Sequence, residues 1–241
     1  MIHHILLIAF VTVFSSMIGT ITGFGLSTIM IPVMLLFYPI KITLLFVGII
    51  HWWGDIWKLI LFKKGADWKL ILAFGIPGII MSYVGASLFI AVDSLILKKL
   101  LGGFLLVYMV YLFVQKTWQV KTNMVSGLIG GSLSGFFAGI FGVGGAIRSA
   151  FLAAYNLPKE VYLFTGAMIA LCIDTARIIR YVSGGIILDS TQSILVLCLI
   201  PVSLIGAYGA KKILSFVPQE RFRLIIAVFL GLIGLKYLFM G

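Results

Sequence analysis

Apolar residues run along almost the whole chain, in stretches that short polar or glycine-rich connections separate. Most of these stretches approach the ~20 residues that a membrane-spanning helix needs. The second and seventh stretches are shorter, and each is either a short complete helix or half of a re-entrant hairpin. The pattern therefore predicts an all-α polytopic membrane protein with eight to ten membrane elements. We place the ten apolar elements at residues 3–22, 26–38, 41–61, 69–91, 97–114, 122–141, 146–156, 160–182, 190–213 and 220–239.

Composition supports a protein that lies almost entirely in the membrane. Of 241 residues, 62% are hydrophobic and 10% are charged, whereas soluble domains carry about 25% charged residues. The net charge of +11 fits cytoplasmic loops and contact with membrane lipids, and it does not indicate nucleic-acid binding. The two cysteines lie in apolar stretches, so neither a metal site nor a disulfide framework is expected.

The chain repeats itself with an offset of 119 residues. Pro158 follows Pro39 at this distance, and the same offset relates three further pairs: Gly142 to Gly23, Asp174 to Asp55 and Arg177 to Lys58. We therefore predict two homologous halves, residues 1–118 and 119–241. Five elements per half is an odd number, so the second half would enter the membrane upside down, as in many secondary transporters.

Two glycine-rich segments interrupt the apolar pattern at equivalent places in the two halves. The stronger one is Gly142-Val143-Gly144-Gly145, and the weaker one is Gly23-Phe24-Gly25. Glycine costs about 1 kcal/mol relative to alanine inside a helix, so clustered glycines predict a helix break. The amides that begin the next helix would be unpaired and lie at the positive end of its dipole, where an anion is stabilised.

Arg148 follows the stronger break and adds a full positive charge to it. We interpret it as a residue that contacts a bound anion. Pairing with Glu160 or Asp174 is one alternative, and contact with a lipid headgroup is another. The candidate substrate-binding residues are Gly23, Gly25, Gly142, Gly144, Gly145 and Arg148.

Only two of the seven carboxylates, Asp55 and Asp174, lie well inside apolar elements. Each has a base three residues further on, Lys58 or Arg177, which places acid and base on one helix face. Buried charges of this kind are costly and often functional. We interpret the two pairs as gates or coupling sites toward opposite membrane faces, although self-neutralising structural pairs are an alternative. His51 lies one turn before Asp55, as a hydrogen-bonded structural residue or a proton relay.

The paired breaks, each followed by an apolar element and a proline, resemble the sulfite exporter TauE/SafE family, also called the toluene sulfonate uptake permeases. The resemblance covers essentially the whole chain. In the second half the chain departs from the family pattern at three places: Ala146 replaces a third glycine, Phe151 a proline and Arg148 an apolar residue.

The resemblance implies a secondary transporter of sulfur oxyanions or organosulfonates in the cytoplasmic membrane of a prokaryote, driven by the proton gradient. It implies neither a cofactor nor an enzymatic activity, and the chain has no recognisable nucleophile motif or carboxylate cluster. A passive anion channel and a membrane partner without transport activity stay as alternatives. A homodimer is possible, and glycine spacings such as Gly131 to Gly135 serve a dimer or the monomer equally well.

Overall fold

The computed structural model describes residues 2–63, 65–114, 122–214 and 219–240, and its side chains from 4–63, 65–113, 122–214 and 227–239. Ten helices lie in these ranges, at the positions that the apolar pattern predicts, and no strand is present in them. The first half contributes α1 Ile2–Thr22, α2 Ser27–Met34, α3 Ile40–Leu61, α4 Trp68–Ala91 and α5 Ser94–Val114. The second contributes α6 Met124–Phe141, α7 Gly144–Ala153, α8 Lys159–Ser183, α9 Ser190–Ile213 and α10 Gln219–Met240. The predicted boundary between the halves lies outside the described residues.

Seven described helices are long and apolar enough to span a bilayer: α1, α3, α4, α5, α6, α8 and α9. The described side chains of α10 form a further apolar segment, Ala227–Phe239. At 8 and 10 residues, α2 and α7 reach only about half of a ~30 Å hydrocarbon core. Large apolar side chains are exposed along the outside of the bundle, which is the surface that lipid covers. These observations confirm a polytopic all-α membrane protein.

Prolines begin the two long helices that carry the buried carboxylates. Pro39 precedes α3 with φ −57° and ψ 149°, and Pro158 precedes α8 with φ −51° and ψ 140°. The fixed φ of proline suits a helix start, because the first amides of a helix have no intrahelical partner in any case. The duplicated prolines therefore start α3 and α8 at equivalent positions, so that equivalent residues occupy the same places along the two helices.

Helix packing repeats between the halves. The equivalent helices are α1 and α6, α3 and α8, α4 and α9, and α5 and α10. The contact of α4 with α6 is repeated by that of α9 with α1, and the contact of α4 with α8 by that of α9 with α3. In addition, α3 packs on α8 and α5 packs on α10. The halves therefore interlock, with α3 and α8 crossing between them. The opposite orientation of the two halves in the membrane stays a prediction.

Glycines bring α4 and α6 into close contact. A Cβ atom at Gly131 would collide with the Phe74 backbone, and one at Gly135 would collide with Gly78. Small residues at this spacing allow helix backbones to approach closely in membranes. These two glycines are therefore used within the monomer, and they do not form a dimer face.

Candidate functional site

The first glycine segment breaks the chain between α1 and α2. Gly23 has a φ of 77° and Gly25 a φ of 83°, both in the left-handed region, which costs other residues roughly 1–2 kcal/mol. The predicted interruption of the helix is therefore confirmed, and glycine is required for it at both positions.

The second glycine segment makes the equivalent break between α6 and α7. Gly142 ends α6 with a φ of 73°, and Gly144 and Gly145 are the first two residues of α7. Val143, which precedes α7, gives no side-chain cap to the helix. The first amides of α7 thus lack the capping partner that a serine or aspartate would supply.

The two breaks lie against each other. Gly145 contacts the carbonyl oxygen of Phe24 so closely that a Cβ atom would collide with it. The Ser149 hydroxyl donates a hydrogen bond of 2.5 Å to the Gly23 carbonyl. The structure therefore brings the glycine segments, which are 119 residues apart in the sequence, into one region.

The predicted acid–base pairs form in the interior where α3 crosses α8. Lys58 Nζ donates to Asp55 Oδ1 at 2.8 Å, and Arg177 Nε donates to Asp174 Oδ1 at 2.7 Å. All four residues are at most 5% exposed. Burying charges in this way is costly unless each one is paired, so the pairs neutralise one another within the bundle.

His51 joins the two pairs. Its Nδ1 lies 2.6 Å from Asp174 Oδ2, and its Nε2 lies 3.8 Å from Asp55 Oδ2. The second distance is too long for a hydrogen bond, and neither of these two atoms has a hydrogen-bond partner among the described residues. The predicted proximity of His51 to Asp55 is therefore present, but the hydrogen bond goes to the other half.

The expectation that the two pairs lie toward opposite membrane faces is wrong. One ligand atom from each of His51, Asp55 and Asp174 lies within 4.8 Å of the others. Asp55 and Asp174 each lie sixteen residues after the proline that begins its helix. Because equivalent helices cross at this position, equivalent residues meet there instead of separating.

Arg148 lies on α7 beside this cluster and is 3% exposed. None of the ion pairs between described residues includes it, and Asp174, one of its candidate partners, is taken by His51 and Arg177. Arg148 lines a cavity of about 10 Å³, which is room for about one water molecule. The other residues that line it are Gly23, Lys58, Ser149, Leu152, Tyr162, Leu163, Gly166 and Ala167.

Two residues of this region were missed by the sequence reasoning. Tyr162 packs on Gly23, where a Cβ atom would lie 2.6 Å from the tyrosine hydroxyl. Gly48 faces the guanidinium of Arg177, with 3.2 Å between Nη1 and the position of a Cβ atom. Both lie in ordinary apolar stretches, so nothing in the local sequence distinguishes them.

The ligand types of His51, Asp55 and Asp174 are those that bind transition metals. Lys58 and Arg177, however, already donate to one oxygen of each carboxylate. A divalent cation placed here would face two fixed positive charges at short range, which is unfavourable. The arrangement suits a proton better than a metal ion.

The chain is similar to known membrane transporters. No solved structure matches the chain. A protein of Methanocaldococcus jannaschii named "Probable membrane transporter protein" is 27% identical over 190 residues, which cover 71% of this chain and 68% of that protein. The family model described as sulfite exporter TauE/SafE matches residues 8–237, a range that includes both breaks and both ion pairs. The chain therefore belongs to the sulfite exporter TauE/SafE family of membrane transporters.

Proposed function

We propose that this protein is a secondary transporter of a small sulfur oxyanion or organosulfonate, and that the trigonal sulfur–oxygen group is the part that it recognises. The host membrane in this proposal is the cytoplasmic membrane of a prokaryote. The observation that carries the proposal is Arg148, a buried cation without a carboxylate partner among the described residues, at the place where the two glycine breaks meet.

The charges around the cavity favour an anion. Asp55 and Lys58 form one neutral pair, and Asp174 and Arg177 form another. Arg148 then leaves an excess of one positive charge, which a bound anion would neutralise in a medium that strengthens the attraction. The uncapped start of α7 adds partial positive charge from its amides.

Hydrogen-bond donors around the cavity suit sulfur–oxygen groups. Arg148 offers a planar set of donors that matches oxyanions, Lys58 offers the ammonium hydrogens that Asp55 does not accept, and both residues line the cavity. The cavity of about 10 Å³ is smaller than sulfite, so we infer that the site is closed in this conformation. Binding would then require α7 and α1–α2 to separate, as when the halves of a transporter rock against each other.

We further propose that His51 carries the coupling proton. Protonated His51 donates from both ring nitrogens, whereas the neutral ring donates from one. Asp174 already contacts Nδ1, and Asp55 Oδ2 stands 3.8 Å from Nε2. A proton on Nε2 would therefore gain an acceptor on α3 while His51 keeps its contact with α8. The charged groups around it are those two aspartates with Lys58 and Arg177, so one proton changes the charge of the cluster from zero to +1.

The test is sulfite flux into liposomes that contain the purified protein, compared with Arg148→Ala. We expect accumulation of sulfite by the wild type when a proton gradient is imposed, and a decrease of at least about a hundredfold in the variant, because a lost charged contact in a desolvated site is worth roughly 3 kcal/mol. Arg180→Ala is the matched control, since Arg180 binds Ser87 and the Tyr83 ring away from the cavity. Equal flux by wild type and Arg148→Ala would remove Arg148 from the site, and downhill flux alone would favour a channel.

A further inference from the structure

The terminal nitrogens of Arg177 are buried without hydrogen bonds. Nε donates to Asp174, but Nη1 and Nη2 make no hydrogen bond of acceptable geometry to any described residue. The Tyr181 hydroxyl interacts electrostatically with the guanidinium and donates its own proton to the Gly139 carbonyl. The Arg177 side chain is 0% exposed. Charged donors left unsatisfied in an interior are costly, so these two nitrogens would gain from a bound acceptor.

One of these nitrogens, Nη1, lies beside the second glycine break. A Cβ atom on Gly142 would lie 3.4 Å from Nη1, and one on Gly48 would lie 3.2 Å from it. Gly142 is in the left-handed conformation and stands two residues before the uncapped start of α7. The guanidinium, two residues without side chains and a helix N-terminus therefore converge.

The same set exists at the first break. Lys58 and Gly23, which line the cavity with Arg148, are the residues 119 positions before Arg177 and Gly142. In each half, a base from the long helix thus lies beside the left-handed glycine of the break. The second break has the parts of an anion site, in the arrangement that the first break has.

A side chain packs on the left-handed glycine at both breaks, Tyr162 on Gly23 and Ile31 on Gly142, and the breaks differ in what lies next to that contact. At the first break a cavity is present beside Gly23. At the second, the end of the Ile31 side chain on α2 contacts Gly142 so closely that a Cβ atom would collide with it. Movement of α2 away from α7 would remove Ile31 and expose the guanidinium of Arg177.

We propose that Nη1 and Nη2 of Arg177, together with the first amides of α7, form a second subsite for a small oxyanion. It rests on the proposed function, because it takes the same class of anion as the cavity at Arg148. Two parallel N–H donors match two oxygens of a sulfite-like group. The subsite is closed by Ile31 in this conformation and opens when α2 moves, so that the anion meets Lys58 and Arg177 in turn during one transport cycle.

The first test uses Arg177→Lys, which keeps the charge beside Asp174 and removes the forked donors. We expect sulfite exchange in liposomes to fall at least about tenfold, the loss typical of one charge-assisted contact. The sulfite concentration that gives half of the maximal thermal stabilisation in detergent should change by less than about twofold, since the cavity at Arg148 is intact. Arg180→Lys, on the same helix, is the control. Wild-type exchange by Arg177→Lys would leave Arg177 with a structural role only and overturn the proposal.

A second test does not depend on altering the buried pair. Arg148→Ala disables the first subsite, and Ile31→Ala in that background removes the side chain that closes the second. We expect sulfite binding, measured by equilibrium dialysis, to be weak in Arg148→Ala and at least about threefold tighter in Ile31→Ala/Arg148→Ala, a gain that Arg177→Lys abolishes. If the double variant gains nothing although the wild type binds sulfite, the second subsite alone is wrong. If the wild type binds no sulfite, the proposed function fails, and the subsite fails with it.

Discussion

The two glycine breaks are built alike and are occupied differently. Both contain a left-handed glycine, both precede a short helix, and each has a base of its own half beside it. At the first break, however, a cavity and the additional charge of Arg148 lie beside the contact of Tyr162 with Gly23, whereas at the second Ile31 packs on Gly142. In a transporter that works by alternating access, equivalent regions of the two halves are expected to differ in any one conformation.

The comparison also separates shared residues from those that one half adds. Asp55 and Asp174 are equivalent, but His51 and Arg148 have no titratable counterparts: the residues related to them by the offset of 119 are Ala170 and Ile29. The duplicated residues therefore form the balanced framework of the site. The unduplicated histidine and arginine supply the features that we assign to the proton and the anion.

Replacing His51 gives the largest expected effect and tests that assignment. We expect His51→Gln to abolish proton-driven accumulation of sulfite in liposomes while exchange of external for internal sulfite continues, because glutamine keeps polar contacts and cannot carry the proton. Both fluxes would be measured on the same preparation. Loss of both would assign His51 to folding or binding, and retention of uphill transport would exclude it from coupling.

The two aspartates are expected to differ in their importance for stability. Asp174→Asn leaves the fully buried Arg177 without its ion pair, which should cost about 3–5 kcal/mol of unfolding free energy. Asp55→Asn should cost less, about 1–3 kcal/mol, because Lys58 borders the cavity and can take up water there.

Thermal unfolding in one detergent would compare the two variants. Asp189→Asn is the matched control, since Asp189 is an exposed residue that caps α9 and asparagine caps a helix equally well. Equal losses for Asp55→Asn and Asp174→Asn would show that the difference in burial between the two bases has no energetic weight.

Alanine substitutions at the left-handed glycines sharpen the comparison further. Both Gly25→Ala and Gly142→Ala should lose roughly 1–2 kcal/mol of stability from backbone strain. At Gly25 the new Cβ atom meets the ring of His51, which Asp174 holds in place, whereas at Gly142 it meets the movable end of Ile31. Gly25→Ala should therefore be the more destabilising, and uphill transport should suffer more in it.

Gly54→Ala gives the smallest effect and serves as the control for the glycine series. Gly54 lies inside α3, and among the described residues no atom outside its own stretch of helix lies within 4 Å of the position of a Cβ atom there. Alanine is favoured over glycine in a helix by up to about 1 kcal/mol, so the melting temperature should stay the same or rise. A clear decrease would mean that flexibility of α3 contributes to stability or folding.

The fold follows from the sequence more completely than the site does. Apolar stretches and duplicated residues such as Pro39 and Pro158 locate all ten described helices. A helix in a membrane makes its backbone hydrogen bonds within its own segment, so a continuous apolar stretch marks it in the sequence. The acid–base pairs are predictable for the same reason, since a spacing of three residues is local to one helix. The link from His51 to Asp174 depends on how α3 crosses α8 and has no local signal.

The most direct test of the central claim is thermal stabilisation of the detergent-solubilised protein by sulfite, with thiosulfate, taurine, sulfate and chloride for comparison. A ligand that binds only the folded state raises the melting temperature with its concentration. We predict a rise with sulfite or another sulfur anion that exceeds the rise with chloride and is lost in Arg148→Ala but kept in Arg180→Ala. Absence of stabilisation by every sulfur anion, in protein shown to be folded, would contradict the account.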